Sequence, residues 1–358
     1  MRVQRDALFL PLTGPVALGF MALLLTSCQD KNPYSPFDKD PGVTTAITTK
    51  SWEAVQQPSQ LPNPQDPSTW SGWEAPLLSG ILQLGPWPPR NPSEEAMLDT
   101  AWQSFTAFEG TRVGIAGIDS VLHRTGKIEA ARSALSDAFG RFEQHFPGSA
   151  APDIDFSYTG FNYSVYPTAS LLLIGCEFFI GADHPSVTQL PPHIYPRYMQ
   201  ERMVPEHLIG DALRGWLLVH FQEEHYPKQG QLADELLYWG KVLFLSRCLA
   251  PDVQPWDLLD WTEEEWNWAR QHEMQVWIEL RQEEFLYTSK RMEIQRWVAD
   301  APFTKAGAVP QDSPDRLGWY LGMRWVEDFM ARHPEMTLEQ LMDQSNVLPF
   351  LQSYRPKG

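Results

Sequence analysis

The 358-residue sequence predicts a mainly α-helical protein with a small central β-sheet, an α+β arrangement, and three observations predict it. Apolar residues recur with helical spacing over most of the chain beyond Ser93. Between about Ile154 and Ile174 that rhythm gives way to short aromatic or aliphatic runs bounded by Gly and Pro, the pattern of strands. A hydrophobic content of 43%, with 15 Trp and 18 Phe, supplies the surface such a fold must bury and excludes a disordered chain. The 45 acidic against 28 basic residues give a net charge of −17 with no basic stripe. This excludes nucleic acid as a partner, because phosphates must be met by clustered Lys and Arg. Three Cys in so long a chain exclude a disulfide-held scaffold.

Residues 1–27 read as a lipoprotein signal peptide. Arg2 and Arg5, with Asp6 as an atypical acidic member, precede an apolar stretch from Ala7 to Leu25. Pro11, Gly14, Pro15 and Gly19 interrupt that stretch and weaken a membrane-spanning reading. Leu25-Thr26-Ser27-Cys28 then resembles the lipobox of bacterial lipoproteins, whose Cys thiol is diacylglycerated, whose peptide is cut before the Cys, and whose new amino terminus is acylated. The resemblance implies lipid attachment at Cys28 and the membrane as a partner through the acyl chains. The alternatives are a cleaved secretory signal with an incidental Cys, or a transmembrane anchor. Gln29, rather than Asp, follows the Cys and by analogy with sorting rules points to the outer membrane. Cys176 and Cys248 are then left either to pair in an oxidising periplasm or to stand as two buried free thiols.

Residues 28–92 read as a proline-rich tether, because the prolines from Pro33 to Pro92 forbid helix and deny donors to a sheet. Trp52, Trp70, Trp73 and Trp87 would make a free tether adhesive, so its second half is expected to pack onto the domain.

Residues 93–358 read as one mostly helical globular domain. Ser93 before Glu94-Glu95 looks like an N-cap opening a helix to about Phe108. Ala131, Leu135, Ala138 and Phe142 form one apolar stripe that ends at Phe146-Pro147. Strands are expected at Ile154–Tyr158, Tyr163–Tyr166 and Leu171–Ile174, and helices at Glu206–Glu224, Leu232–Leu249, Glu263–Glu284, Pro314–Arg332 and Leu338–Asp343. Thr262 with Glu265 and Thr337 with Gln340 have capping-box spacing.

Few residues offer chemistry. His272-Glu273 begins like a zinc-peptidase HExxH helix, but Val276 stands where the second His belongs, so Glu273 and Trp277 read as packing with a polar anchor. His220 and His225 are five apart, which places their imidazoles about 140° apart around a helix and out of register for the inverted HxxEH motif. His207 and Asp211 lie at i, i+4, a spacing that suits a metal or, more commonly, a surface pair. His207, Asp211, His220, His225 and Glu235 are therefore the irregular ligand set that a zinc-peptidase reading would need. No nucleophile elbow, Walker loop, dinucleotide glycine pattern or CxxC pair is present, so the sequence implies no cofactor. Trp256, Trp261, Trp266, Trp268 and Trp277 suggest either sugar stacking or, given the eleven-residue spacing of Trp266 and Trp277, a buried stripe.

From about Leu135 onward the chain resembles the gliding-motility lipoprotein GldB family. The segments that carry the resemblance are residues 139–147, Gly160-Phe161-Asn162, residues 174–181, residues 236–241, Glu273 with Trp277, Ala301-Pro302-Phe303, residues 313–318, residues 322–325 and the closing residues 353–357. Cys176-Glu177 departs from the family's usual pair. The family looks distantly similar to zinc peptidases, and on that likeness Arg214, Gly215 and Trp239-Gly240-Lys241 stand where metal ligands would be wanted. Trp cannot ligate zinc and Lys would repel it. The resemblance thus implies a peptidase-like scaffold without metal or cofactor, serving as a lipid-anchored envelope component that binds other envelope proteins. An active zinc metallopeptidase with an irregular ligand set and a glycan-binding lipoprotein are the alternatives.

Overall fold

The computed structural model describes residues 47–56, 61–168, 170–221, 226–227, 230–282 and 285–357. The signal peptide, Cys28 and His225 lie outside them. The fold is mainly helical with a small sheet.

Four strands form the sheet: β1 (Ile47–Thr48), β2 (Asp153–Ser157), β3 (Val165–Pro167) and β4 (Leu171–Gly175), in the order β1-β2-β4-β3. β1 and β4 flank β2 in parallel, with Ile47 opposite Ile154 and Ile154 opposite Leu172, while β3 pairs antiparallel to β4. Every residue of β4 and all of β2 after Asp153 are buried, so continuous apolar runs such as Leu171-Leu172-Leu173-Ile174 suit strands covered on both faces.

The edge strand β1 comes from the proline-rich segment, and so does α1 (Lys50–Gln56). The sequence expectation of an extended, helix-free stretch does not hold here, because no proline falls between Pro41 and Pro58 and the chain is free to wind. Trp52 and Val55 are buried in the core, and the Ser51 hydroxyl donates to Asp155 of β2 at 2.9 Å. Trp73 is also buried, and Trp70 meets Trp87 edge-on at 5.6 Å.

The helices that follow are α2 (Pro92–Ala107), α3 (Glu109–Ile118) and α4 (Lys127–His145). α2 is capped by Asn91, whose Oδ1 accepts the Glu94 N–H at 3.0 Å, and not by Ser93, since Pro92 already takes the first helical turn. Two short turns come next, α5 (Pro185–Thr188) and α6 (Arg197–Gln200), and then α7 (Leu208–His220) and α8 (Leu232–Leu249). α9 (Glu263–Gln282), α10 (Arg291–Val298), α11 (Leu317–Met330), α12 (Leu338–Asp343) and α13 (Leu348–Ser353) complete the chain. Both expected capping boxes form, with Thr262 and Glu265 exchanging bonds of 2.7 and 3.2 Å and Thr337 and Gln340 bonds of 3.0 and 3.1 Å.

α8 is the axle of the domain. It is apolar nearly all round and buried along most of its length, as a central helix must be. α11 crosses it where Gly240 meets Gly322, and a Cβ on Gly240 would lie 2.1 Å from the Gly322 carbonyl carbon. Among the described residues no helix is long and apolar enough to cross a membrane.

Candidate functional site

The described members of the irregular metal set proposed from sequence, His207, Asp211, His220 and Glu235, are each engaged by other partners. The His207 ring Nδ1 is bonded to the Arg202 carbonyl at 2.8 Å, and Asp211 is paired with Arg214. His220 stacks on Trp216 with ring centroids 4.6 Å apart. Glu235 is buried at the base of α8, where Arg291 pairs with it and the Tyr226 hydroxyl donates to it at 3.0 Å. Among the described residues no three His, Cys, Asp or Glu side chains converge on a point where a metal ion could sit.

In place of a ligand cluster, Arg214 of α7 and charged residues of the loops beside it build a lattice of alternating charges. Arg214 donates to Asp260 at 2.6 Å, Arg316 to the same carboxylate oxygen at 2.9 Å, and Arg202 pairs with Asp315 at 2.8 Å. Asp315 also accepts from the Trp261 indole at 3.2 Å and the Ala301 N–H at 3.0 Å. Burial alone would raise the Asp260 carboxyl, but the Arg214 and Arg316 guanidiniums outweigh it and hold the group far below the usual carboxylate range. Asp211 goes the other way, raised first by burial and then by the charge of Asp260. Trp239 stacks on Trp319 at 3.8 Å, and the Arg316 guanidinium lies 4.9 Å from the Trp319 ring.

Lys241, the neighbour of that stack, is buried and donates to the Met342 and Gln344 carbonyls at 2.6 and 2.7 Å. It thereby closes the C-terminal end of α12, where orphan carbonyls and the helix dipole favour a cation. Burial pulls its ammonium down to about 8. Glu273 is the polar anchor the sequence suggested, 2% exposed, accepting from the Tyr320 hydroxyl at 2.7 Å, the Tyr354 hydroxyl at 2.9 Å, Arg324 at 3.2 Å and the Lys357 N–H at 3.2 Å. His272 turns away to bond the Trp268 carbonyl at 2.8 Å. Of the Trp cluster, Trp261 and Trp266 are buried, while Trp256, Trp268 and Trp277 are half-buried against the core. Cys176 and Cys248 are both buried and are not joined in a disulfide.

An open concavity lies elsewhere, beyond the end of β2. A cleft of about 1030 Å³ is bounded by α2, α3, the loop after β2 and α5. Glycines let α3 pack closely against its neighbours there. A Cβ on Gly114 would lie 2.6 Å from the Tyr158 ring, and one on Gly117 would lie 2.7 Å from the His184 ring. The cleft wall at Gly160-Phe161 is held by Glu177, the family departure noted above. Glu177 Oε1 accepts the Thr159 N–H at 2.8 Å, the Phe161 N–H at 2.9 Å and the Thr159 hydroxyl at 2.6 Å. Those bonds stabilise two successive left-handed residues, Gly160 at φ +66° and Phe161 at φ +57°, a conformation unfavourable for Phe without such support. The second carboxylate oxygen is buried with no hydrogen-bond partner, and burial, opposed by the Thr159 and Phe161 hydrogen bonds, pushes the group up to about 7.

The sequence did not point to this cleft. Its lining comes from four separated segments, and the glycines of α3 suggest a loop until their shared face is seen. A family model described as gliding motility protein GldB matches residues 95–356, which takes in the charge lattice and all of the cleft lining except Leu84. No curated protein and no solved structure was found to match the chain.

Proposed function

The chain belongs to the gliding motility protein GldB family, and from that premise we propose that it is a lipid-anchored cell-envelope protein working as a non-enzymatic assembly component in gliding motility or its associated secretion. The observation that carries the non-enzymatic part is the use of Arg214 and Lys241. At the positions where the peptidase likeness would want ligands, these two cations are locked into the buried lattice and the end of α12. Two buried cations there oppose a divalent metal by charge, and they leave no lone pair to coordinate one. The scaffold is thus read as peptidase-like with its metal chemistry lost.

Anchoring rests on Cys28 behind its lipobox, and the outer membrane is the proposed site because Gln29 follows the Cys. Growth with labelled palmitate tests the anchoring. The parent chain should carry label and partition with outer membranes, and Cys28→Ser should do neither. Label retained by Cys28→Ser would remove the anchor from that residue. The non-enzymatic part is tested by incubating the purified chain with zinc and unfolded casein. Hydrolysis above the blank, abolished by His207→Ala or Glu235→Gln, would overturn it.

A further inference from the structure

We propose that a proton held on Glu177 and given to Thr159 is a latch on the wall of the cleft, and that its loss to solvent frees the turn from Tyr158 to Tyr163. The cleft then changes shape with the acidity around it. The inference is independent of the anchoring and of the assembly reading.

The oxygens behind the wall need one hydrogen more than they own when Glu177 is ionised. Thr159 Oγ carries a single hydrogen, yet it lies 2.6 Å from Glu177 Oε1 and 2.8 Å from the Tyr163 carbonyl oxygen. A carbonyl only accepts, and so does a carboxylate, so an ionised Glu177 leaves one of the two contacts without a hydrogen. A protonated Glu177 completes both, donating to Thr159 Oγ while the hydroxyl donates to Tyr163. The chain from carboxyl to hydroxyl to carbonyl then ties the start of the turn to its end. Gly175 of β4 leaves room for this chain, since a Cβ there would lie 2.3 Å from the Tyr163 oxygen and 2.7 Å from Thr159 Oγ.

Among the described residues, nothing around Glu177 suits its anion. The side chain is fully buried, and Oε2 has no hydrogen-bond partner. Asp155 and Tyr158 approach from β2 and the residue after it, Cys176 stands beside it, and Tyr195 comes from the segment before α6. None of these is a cation. On α3 the charged residues Glu109 and Arg112 are exposed. Over residues 205–207, Glu206 pairs with Lys127 at 3.0 Å and His207 bonds the Arg202 carbonyl. His184 accepts the Ser186 N–H through Nδ1 at 3.2 Å, which keeps that ring neutral. Burial accordingly moves the Glu177 carboxyl up to about 7, where a small change in acidity decides its charge.

On ionisation the Thr159 hydroxyl turns to the carboxylate, the stronger acceptor, and the Tyr163 carbonyl loses that donor. The uncompensated buried charge draws water, and its cover is the half-exposed pair Gly160 and Phe161. Both stand at positive φ, so the turn has a relaxed conformation to fall into once its end is untied.

The test is hydrogen–deuterium exchange of the full chain in detergent at about pH 5.5 and 8.5, on either side of the Glu177 value, with rates referred to an unstructured chain at each pH. In the parent, protection over residues 158–163 should fall about tenfold from the lower pH to the higher, while α8 keeps its protection. Glu177→Gln cannot ionise and should show no step. Thr159→Val lacks the hydroxyl and should leave the turn poorly protected at both pH values, whereas Thr159→Ser keeps it and should restore the step. A parent turn indifferent to pH, a step that survives in Glu177→Gln, a Thr159→Val turn as protected as the parent's, or an equal loss in α8 would each overturn the proposal. Should the variants not fold, infrared difference spectra of the parent decide beside its exchange. A carboxylic-acid carbonyl band should vanish as pH rises through about 7, and its absence at the lower pH would overturn the latch.

Discussion

Gly240 of α8 and Gly322 of α11 touch backbone to backbone, so closely that a Cβ on Gly322 would lie 1.8 Å from the carbonyl oxygen of Leu236. The approach brings two long buried helices into register along their length, and neither glycine is chosen for backbone freedom. Gly322→Ala should destabilise the chain by about 3 kcal/mol, the upper part of the range for overpacking, because the obstacle is backbone and cannot rotate away. Urea unfolding of the chain from Gln29 onward measures it. A loss below about 1 kcal/mol would mean the helices separate easily and the contact does not set their packing.

Glu273 joins α9 to α11 and to the closing segment through Tyr320, Arg324, Tyr354 and the Lys357 N–H. Removing its carboxylate leaves two buried hydroxyls and part of a guanidinium unsatisfied. Glu273→Ala should cost about 3–5 kcal/mol, and Tyr354→Phe, which removes one donor, about 1 kcal/mol. Hydrogen exchange over residues 350–357 should quicken in both variants. Unchanged protection there would show that α13 and the tail are held by apolar packing instead.

The buried carboxyls predict a pH dependence. Burial raises Glu177 to about 7 and Asp155 to about 6, and burial followed by the charges of Glu206 and Asp260 raises Asp257 to about 7. A carboxyl whose folded value exceeds its unfolded value keeps a proton in the native state that the unfolded chain has released. Its contribution is present at low pH and is lost as pH rises from about 4.5 through 7 for Glu177. Glu177→Gln keeps an oxygen for the Thr159 and Phe161 N–H groups but cannot ionise. Relative to the parent, the variant should gain on the order of 3 kcal/mol between pH 4.5 and 8. Parallel stability curves for the two would place Glu177 as an ionised carboxylate throughout.

Metal content gives a direct reading of the charge lattice. The chain purified without chelator should carry far less than one zinc per chain by mass spectrometry, because Arg214 and Arg316 already neutralise Asp260. About one zinc per chain, lost in His207→Ala or His220→Ala, would reinstate the peptidase reading.

Legibility in the sequence followed the kind of signal each element carried. α8 and α12 were expected at the residues where they occur, Leu232–Leu249 and Leu338–Asp343, because strong apolar content or a capping box marks their limits. α3 was missed, since Gly110, Gly114 and Gly117 within ten residues carry poor helix propensity and only the Phe108, Tyr158 and His184 rings they meet explain them. α1 was hidden by the prolines on either side, and α10 by its brevity. Three of the segments that carried the family resemblance hold buried contacts, through Gly240 and Lys241, Glu273, and Asp315-Arg316, while Gly160-Phe161 stands in the wall of the cleft. The cleft had no local signature because it exists only once four distant segments meet.

The two-residue pairing of β1 with β2 gains a mechanical meaning under the proposed N-terminal anchoring. Among the described residues, traction from that side would first meet Ile47, whose carbonyl is clasped by Arg132; Ile47 and Thr48 have Ile154 and Asp155 as strand partners. Behind them stand the Ser51–Asp155 bonds and the buried Trp52, and only then the bulk of the sheet. On that reading, load at this edge would break the β1–β2 pairing before α1 and α1 before β2, making the edge a compliant fuse that yields while the central helices keep their shape.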